Sequence, residues 1–96
     1  MPNRNFKKSQ RNTIWKENYG NSNSGIDLFG RNITEDNFEV DHIFPKSKGG
    51  KTIIKNAQPL HPLSNWEKAD NLSGYVNGKK FKIKNKRNGK IKINVK

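Results

Sequence analysis

An adjacent acid and histidine, Asp41 and His42, are the residues of this sequence best suited to chemistry. Asn56 follows 14 residues after the histidine, and Asn65 follows nine residues later in a helix-like stretch. Hydrolysis of a phosphodiester needs a base to deprotonate water and a cation to stabilise charge on the phosphate. Imidazole suits the base, and the oxygens of Asp41 and Asn65 suit one hard ion, Mg²⁺ or Mn²⁺. These four residues therefore predict metal-dependent cleavage of a phosphodiester.

The backbone around the pair must be irregular for this chemistry. Adjacent side chains of a regular strand point to opposite faces, so the strand must end, bulge or twist near Asp41 and His42. Pro45 is consistent with such an end. Asn56 is expected to tie down the loop between two strands and hold the His42 segment in position.

The charge distribution favours a polyanionic partner. The 96 residues include 20 Lys and Arg but only eight Asp and Glu, which gives a net charge of +12. The last 26 residues contain nine bases and no acid. Such a surface is typical of proteins that bind nucleic acid, although lysines also protect sheet edges. The lysines expected to contact double-stranded DNA are Lys46, Lys48, Lys51, Lys68, Lys82, Lys84 and Lys92.

Composition limits the alternatives. The chain is short enough for one domain, and its mean hydropathy of −1.12 predicts a small core. It has no cysteine, which excludes disulfides and cysteine-based zinc sites. No apolar run approaches the ~20 residues that a membrane helix needs.

The sequence pattern predicts an α+β domain. Residues 1–8 are expected to form a basic disordered arm, residues 9–74 the main domain with its motif in 38–71, and residues 75–96 a basic β-hairpin extension. The predicted elements are a helix from Ser9 to Tyr19 ended by Gly20, a small hairpin around Gly30 and Arg31, strands at 38–44 and 56–60, a helix at 62–71, and a C-terminal hairpin of 80–84 with 90–96 turning at Asn88 and Gly89. In the second helix, Leu63 and Trp66 are expected to face the core.

The motif resembles that of HNH nucleases. The residues that carry the resemblance are Asp41, His42, Ile43, Pro45, Ser47, Asn56, Asn65, Lys68, Asp70 and Asn71. Their spacing is similar to that in the HNH domain of RNA-guided CRISPR nucleases, and the flanking residues are similar to small stand-alone HNH proteins of bacteria and phages. The resemblance implies a ββα-metal (His-Me finger) core, with Asp41 and Asn65 as metal ligands, His42 as the base and Asn56 as a supporting residue.

Several expectations follow from this resemblance. The activity would be endonucleolytic cleavage of DNA, in the cytoplasm of a bacterial or phage-infected cell. Low intrinsic specificity is expected because no segment resembles a base-reading helix, and a protein partner or a homodimer could be a source of specificity. No structural zinc is expected, because His61 and Ser64 stand where many HNH domains have a cysteine pair. His61 is also a rival to Asn65 for the last motif position. A DNA-binding module that retains the fold without cutting is the alternative function.

Overall fold

The computed structural model describes residues 5–85 and 90–96, which form an α+β arrangement of two helices and seven strands. In chain order these are α1 (Lys8–Tyr19), β1 (Ser24–Ile26), β2 (Asn32–Thr34), β3 (Glu39–His42), β4 (Ala57–Leu60), α2 (Pro62–Lys68), β5 (Ser73–Val76), β6 (Lys79–Asn85) and β7 (Ile91–Val95). Two short 3₁₀ turns, Lys46–Lys48 and Ile54–Asn56, lie in the connection between β3 and β4. No described helix is long and apolar enough to cross a membrane.

Helix α1 covers one of two hydrophobic clusters. Ile14 and Trp15 are buried on its inner face, and the Trp15 indole nitrogen donates to the Ser22 carbonyl at 2.8 Å. The helix begins one residue before the predicted Ser9, and its first turn is held by the Lys7 amide, which donates to the Gln10 side chain. Gly20 ends it with a positive φ of 61°, as its residue type predicts.

Part of the N-terminal segment packs against the domain. Of the basic arm predicted for residues 1–8, residues 1–4 lie outside the described part of the chain. Phe6 is buried in the α1 cluster, and Lys8 already begins the helix. Burial of one aromatic side chain stabilises by about 1.5–3 kcal/mol, which fixes this segment against the domain.

The described strands form three small antiparallel sheets, β1–β2, β3–β4 and β5–β6–β7. In the β3–β4 sheet, Asp41 pairs with Gln58 and Glu39 with Leu60. Strand β3 is shorter than the predicted 38–44, because the chain turns away after His42 toward Pro45. A second hydrophobic cluster, built on Phe29, Leu60, Val76, Phe81 and Ile83, joins the sheets.

The C-terminal sheet has one strand more than predicted. Strand β6 pairs with β7 as expected from their alternation, and β5 pairs with the other edge of β6 through a turn at Asn77 and Gly78. The turn predicted at Asn88 and Gly89 lies outside the described residues. Apolar side chains of β6 face the second cluster, and the opposite side, here called the basic face, carries exposed lysines. These are Lys80, Lys82, Lys84 and Lys92.

Helix α2 differs most from expectation. It ends at Lys68 rather than near residue 71. Leu63 and Trp66 were predicted to face the core, but they are 45% and 75% exposed. Ser64 and Lys68, four residues apart and so on one side of the helix, are fully buried instead. The polar side of α2 faces inward because it bonds with polar groups of β3 and of the turn after β1.

Candidate active site

Three of the four residues predicted for chemistry, Asp41, His42 and Asn65, meet at one cleft. The cleft holds about 420 Å³ and lies between β3, the turn that follows it, and α2. Its lining residues are Glu39, Val40, Asp41, His42, Pro45, Lys46, Pro62, Asn65, Trp66, Ala69 and Asp70. Strand β3 ends at His42, so the adjacent side chains of Asp41 and His42 both reach the cleft, as the chemistry requires.

Two side-chain donors, from Gln58 and Lys68, hold the carboxylate of Asp41 in place. The Gln58 amide donates to Oδ2 at 2.8 Å, and the Lys68 ammonium lies 3.0 Å from Oδ2 and 3.2 Å from Oδ1. Burial raises the pKa of the Asp41 carboxyl above its ordinary value, and the positive charge of Lys68 and the Gln58 hydrogen bond oppose part of that rise. Asp41 is therefore fixed in position, with only 5% of its surface exposed toward the cleft.

Lys68 has a different place from the one expected. It was predicted to contact a phosphate, yet its side chain is fully buried. Besides Asp41, its ammonium donates to the carbonyl oxygen of His42 at 3.1 Å. One buried cation thus contacts both residues of the pair, and it holds the end of β3 against α2.

The imidazole of His42 is oriented by two neighbours. Its Nε2 lies 2.9 Å from the Thr52 hydroxyl. The ring of Phe6 packs against it with ring centroids 4.6 Å apart. Thr52 lies ten residues after His42 and Phe6 lies 36 residues before it, so no local pattern indicated either contact.

Asn56 has the clamping contacts that the sequence predicted for it. Its side chain is fully buried. It accepts from the Phe44 amide at 2.8 Å and donates to the carbonyls of Phe44 and Lys51 at 3.1 and 2.8 Å. These bonds close the turn between β3 and β4, which carries Thr52 to the histidine ring. Asn56 does not line the cleft and acts on the site through the backbone.

Asn65 projects from α2 into the cleft and is oriented by Glu39. The Asn65 amide nitrogen donates to Glu39 Oε1 at 2.8 Å. This bond leaves the amide oxygen as the atom for a further ligand. Glu39 precedes Asp41 by two residues on β3 and therefore shares its face. The period of two along a strand was the signal that could have identified Glu39 in advance.

The available donors fit one hard divalent ion. A carboxylate offers about four lone-pair sites, and Gln58 and Lys68 occupy up to three of them on Asp41. Asn65 contributes a neutral oxygen. Residues 5–85 and 90–96 contain no cluster of three or more His, Cys, Asp or Glu side chains suited to a metal. Two oxygen ligands nevertheless suit Mg²⁺, which keeps several waters and takes further oxygens from a phosphate.

His61, the rival for the last motif position, has a structural role. Its Nδ1 accepts from the Leu63 amide at 2.9 Å and caps α2. Its own amide donates to Asp27 Oδ2 at 3.0 Å. It is not among the lining residues of the cleft, so the structure brings Asn65 and not His61 to the pair.

Arg31, to which the sequence analysis assigned no role, ties the turn after β1 to α2. Its guanidinium donates to Ser64 Oγ at 3.1 Å and pairs with Glu67. The hydrogen bond from Arg31, and then that from the Asn77 backbone amide, lower the pKa of the Glu67 carboxyl. The two buried polar residues of α2 therefore both have partners: Ser64 accepts from Arg31, and Lys68 pairs with Asp41.

The remaining lysines divide between two surfaces. Lys46 lines the cleft, and Lys48 and Lys51 are exposed on the same turn. Lys82, Lys84 and Lys92 lie on the basic face of the C-terminal sheet.

A comparison with protein-family models matches residues 27–70 to the HNH endonuclease family. This part of the chain is similar to HNH endonuclease domains. The match runs from Asp27, which accepts from the amide of the α2 cap residue His61, to Asp70 at the rim of the cleft, and so includes β3, β4 and α2. HNH nucleases act on DNA and generally use a divalent metal ion. Searches of curated proteins and of solved structures gave no significant match.

Proposed function

We propose that the chain is a metal-dependent endonuclease that hydrolyses DNA phosphodiester bonds. In this proposal β3, β4 and α2 form the ββα-metal core, and the site acts with low sequence specificity. The observation that carries the proposal is the convergence of Asp41, His42 and Asn65 at one cleft. An imidazole and two hard oxygen donors within one cleft provide the base and the cation site that phosphodiester hydrolysis needs.

His42 is the general base. The bond between its Nε2 and Thr52 sets the orientation of the ring, and packing on Phe6 restricts rotation of the ring. A base held in one orientation loses little entropy when it takes a proton from water, which is the advantage of preorganised groups. Positioned general bases contribute roughly 10²–10⁴-fold to a rate.

Asp41 and Asn65 are the residues that would hold the metal ion. Bound there, one divalent cation would supply positive charge to the phosphate and to the leaving oxygen. Glu39 keeps the Asn65 amide oxygen directed to the cleft by binding the amide nitrogen. Lys68 and Gln58 keep the Asp41 carboxylate in place.

The basic face is proposed to bind the DNA backbone. Lys84 and Lys92 lie directly opposite each other on β6 and β7, and directly opposed like charges destabilise a sheet. A phosphate placed between them would remove that repulsion. Phosphate contacts of this type give affinity and position without reading sequence, which agrees with the low specificity proposed.

A plasmid assay tests the function. Supercoiled plasmid is incubated with Mg²⁺ or Mn²⁺ and either wild-type protein, His42→Ala or His61→Asn. We expect relaxed circles from the wild type and a rate roughly 10²–10⁴-fold lower for His42→Ala. His61→Asn is the matched control, because Asn also caps helices well and His61 lies outside the cleft.

The outcomes separate cleavage from binding. If wild-type protein shifts DNA in a gel but never relaxes it with either ion, the non-catalytic binding module is correct. If His42→Ala cuts as fast as His61→Asn, the imidazole is not the base, and the proposed mechanism fails even though the activity remains.

A further inference from the structure

Trp66 lies exposed at the rim of the catalytic cleft. Its side chain is 75% exposed, and it lines the same cleft as Asp41 and His42. The residue before it in sequence is Asn65, the proposed metal ligand. The other tryptophan, Trp15, is 1% exposed and hydrogen-bonded, so the domain has a buried tryptophan for its core and leaves Trp66 in solvent.

Trp66 is not the only exposed apolar residue on this side of α2. Leu63, three residues earlier and therefore on the same side of α2, is 45% exposed. Together these two side chains form an apolar patch next to the polar cleft. Large exposed apolar surface beside a polar cleft is a feature of ligand-binding grooves. The large flat indole is the part of this patch best suited to a planar ligand.

We propose that Trp66 stacks on an unpaired nucleobase next to the scissile phosphate. This inference rests on the proposed function in one respect, that DNA is the ligand of the cleft. Every base offers a π face, and base–aromatic stacking is independent of sequence. In an intact duplex that face is covered by the neighbouring base pairs, so stacking requires a base that is out of the stack. The preferred substrate is therefore single-stranded or locally unpaired DNA.

The charges near the patch favour a nucleic acid as its occupant. Lys46 lines the same cleft, and Lys48 and Lys51 are exposed on the adjoining turn. A strand whose phosphates contact these lysines would place its bases within reach of an aromatic side chain at the rim, the combination that single-strand binding sites use. A second copy of the chain is a poorer occupant, because two copies each with a net charge of +12 repel one another.

Fluorescence gives a direct test that needs no cleavage. Wild-type protein, Trp66→Ala, Trp66→Phe and Leu63→Ala are titrated in EDTA into a short dye-labelled single-stranded oligonucleotide and into a duplex of the same sequence, and every affinity is measured from the anisotropy of the dye. We expect the single strand to quench the exposed tryptophan in the wild type. Trp66→Ala should weaken single-strand binding roughly 5- to 30-fold, which corresponds to loss of one stacked base, and should change duplex affinity less than about threefold.

Two variants separate stacking from loss of apolar surface. Trp66→Phe retains a smaller aromatic face and should recover part of the affinity, whereas Leu63→Ala removes apolar area of the same patch and should change single-strand affinity less than about threefold. Both sites are exposed, so thermal unfolding of each variant should match the wild type. A mismatched duplex should bind more tightly than the perfect one in the wild type and equally in Trp66→Ala.

The result that overturns the proposal is equal binding of single-stranded DNA by wild type and Trp66→Ala. An equal loss on single strand and duplex would also overturn it, because stacking on an unpaired base predicts a difference. A dimer seen in sedimentation that Trp66→Ala dissociates, with unchanged DNA binding, would assign the patch to a second copy. Failure of the plasmid assay with retained quenching by the single strand would reject the nuclease and leave this inference standing.

Discussion

Replacement of Lys68 by methionine should destabilise the domain far more than loss of any exposed lysine. Methionine is unbranched and flexible and fits the space of a lysine stem, so the substitution removes mainly the charge. The ammonium contacts Asp41 at 3.0 Å and the His42 carbonyl at 3.1 Å, with no exposed surface. Removal of one partner of a buried ion pair costs about 3–5 kcal/mol. For a domain of this size that corresponds to a fall in Tm of roughly 15–25 °C.

The pH dependence of this loss identifies its cause. In the wild type, burial raises the pKa of Asp41 and Lys68 opposes the rise. Without Lys68 the pKa of Asp41 in the folded state moves further above its value in the unfolded chain. The folded variant then binds a proton that the unfolded chain releases, so its stability falls as pH rises through the raised pKa. The difference from wild type should therefore be smaller at mildly acidic pH than at neutral pH.

Urea unfolding in EDTA, followed by circular dichroism at both pH values, measures these quantities. Lys55→Met is the control, because Lys55 is exposed on the turn before β4 and its loss should stay within about 0.5 kcal/mol. A cycle with Asp41→Asn should give an interaction energy of about 2–3 kcal/mol between Asp41 and Lys68. If Lys68→Met costs no more than Lys55→Met, or the same at both pH values, the reasoning from a buried charge pair is refuted.

Three further predictions concern the surroundings of the pair. Thr52→Val should lower kcat roughly 5- to 30-fold and shift the pH profile of cleavage, since about 1–2 kcal/mol of hydrogen bonding to the proposed base is lost, whereas Thr52→Ser should retain most activity. Asn56→Ala removes three buried hydrogen bonds and should cost about 2–4 kcal/mol in urea unfolding; an unchanged midpoint would show that Asn56 is no clamp. Replacement of the three predicted DNA contacts on the basic face, Lys82, Lys84 and Lys92, by glutamine should reduce the slope of log affinity against log salt by about 0.9 for each lysine that contacts a phosphate. An unchanged slope would show that DNA binds elsewhere.

Local sequence signals predicted the outer elements of the fold well. Gly20 ends α1, and strict alternation places Phe81 and Ile83 inside β6 with lysines outside. Both signals are local, because the conformation of a glycine and the alternation of side chains along a strand depend on residues adjacent in sequence. Strand β5 was not predicted, because its four residues include a glycine and an exposed tyrosine and it is held by pairing with β6.

The error in α2 has a physical reason that sequence periodicity does not contain. An apolar pattern assigns the core face to Leu63 and Trp66. The helix instead turns Lys68 inward, where a buried cation is stable only because it meets a buried carboxylate 27 residues earlier. That pairing depends on how α2 packs against β3, and no feature of the seven-residue helix alone indicates it.

For the site too, local sequence signals predicted the residues but not their long-range contacts. Residue type and spacing led to Asp41, His42 and Asn65, which do line one cleft. The side chains that hold them were not predicted, because strand register brings Gln58 opposite Asp41 and a clamped turn brings Thr52 to the imidazole.

Access to the pair is restricted, which decides how a substrate must approach. Asp41 and His42 are each only 5% exposed, so a phosphate reaches them only through the cleft that Lys46 and Trp66 border. A phosphate brings negative charge to a carboxylate, and this repulsion is largest where solvent is excluded. The buried ammonium of Lys68 offsets it in advance, because it already neutralises Asp41 from the opposite side. In the proposed mechanism, the residue that stabilises the fold therefore also sets the charge that a phosphate meets, which gives a physical reason for a fully buried lysine beside Asp41 and His42.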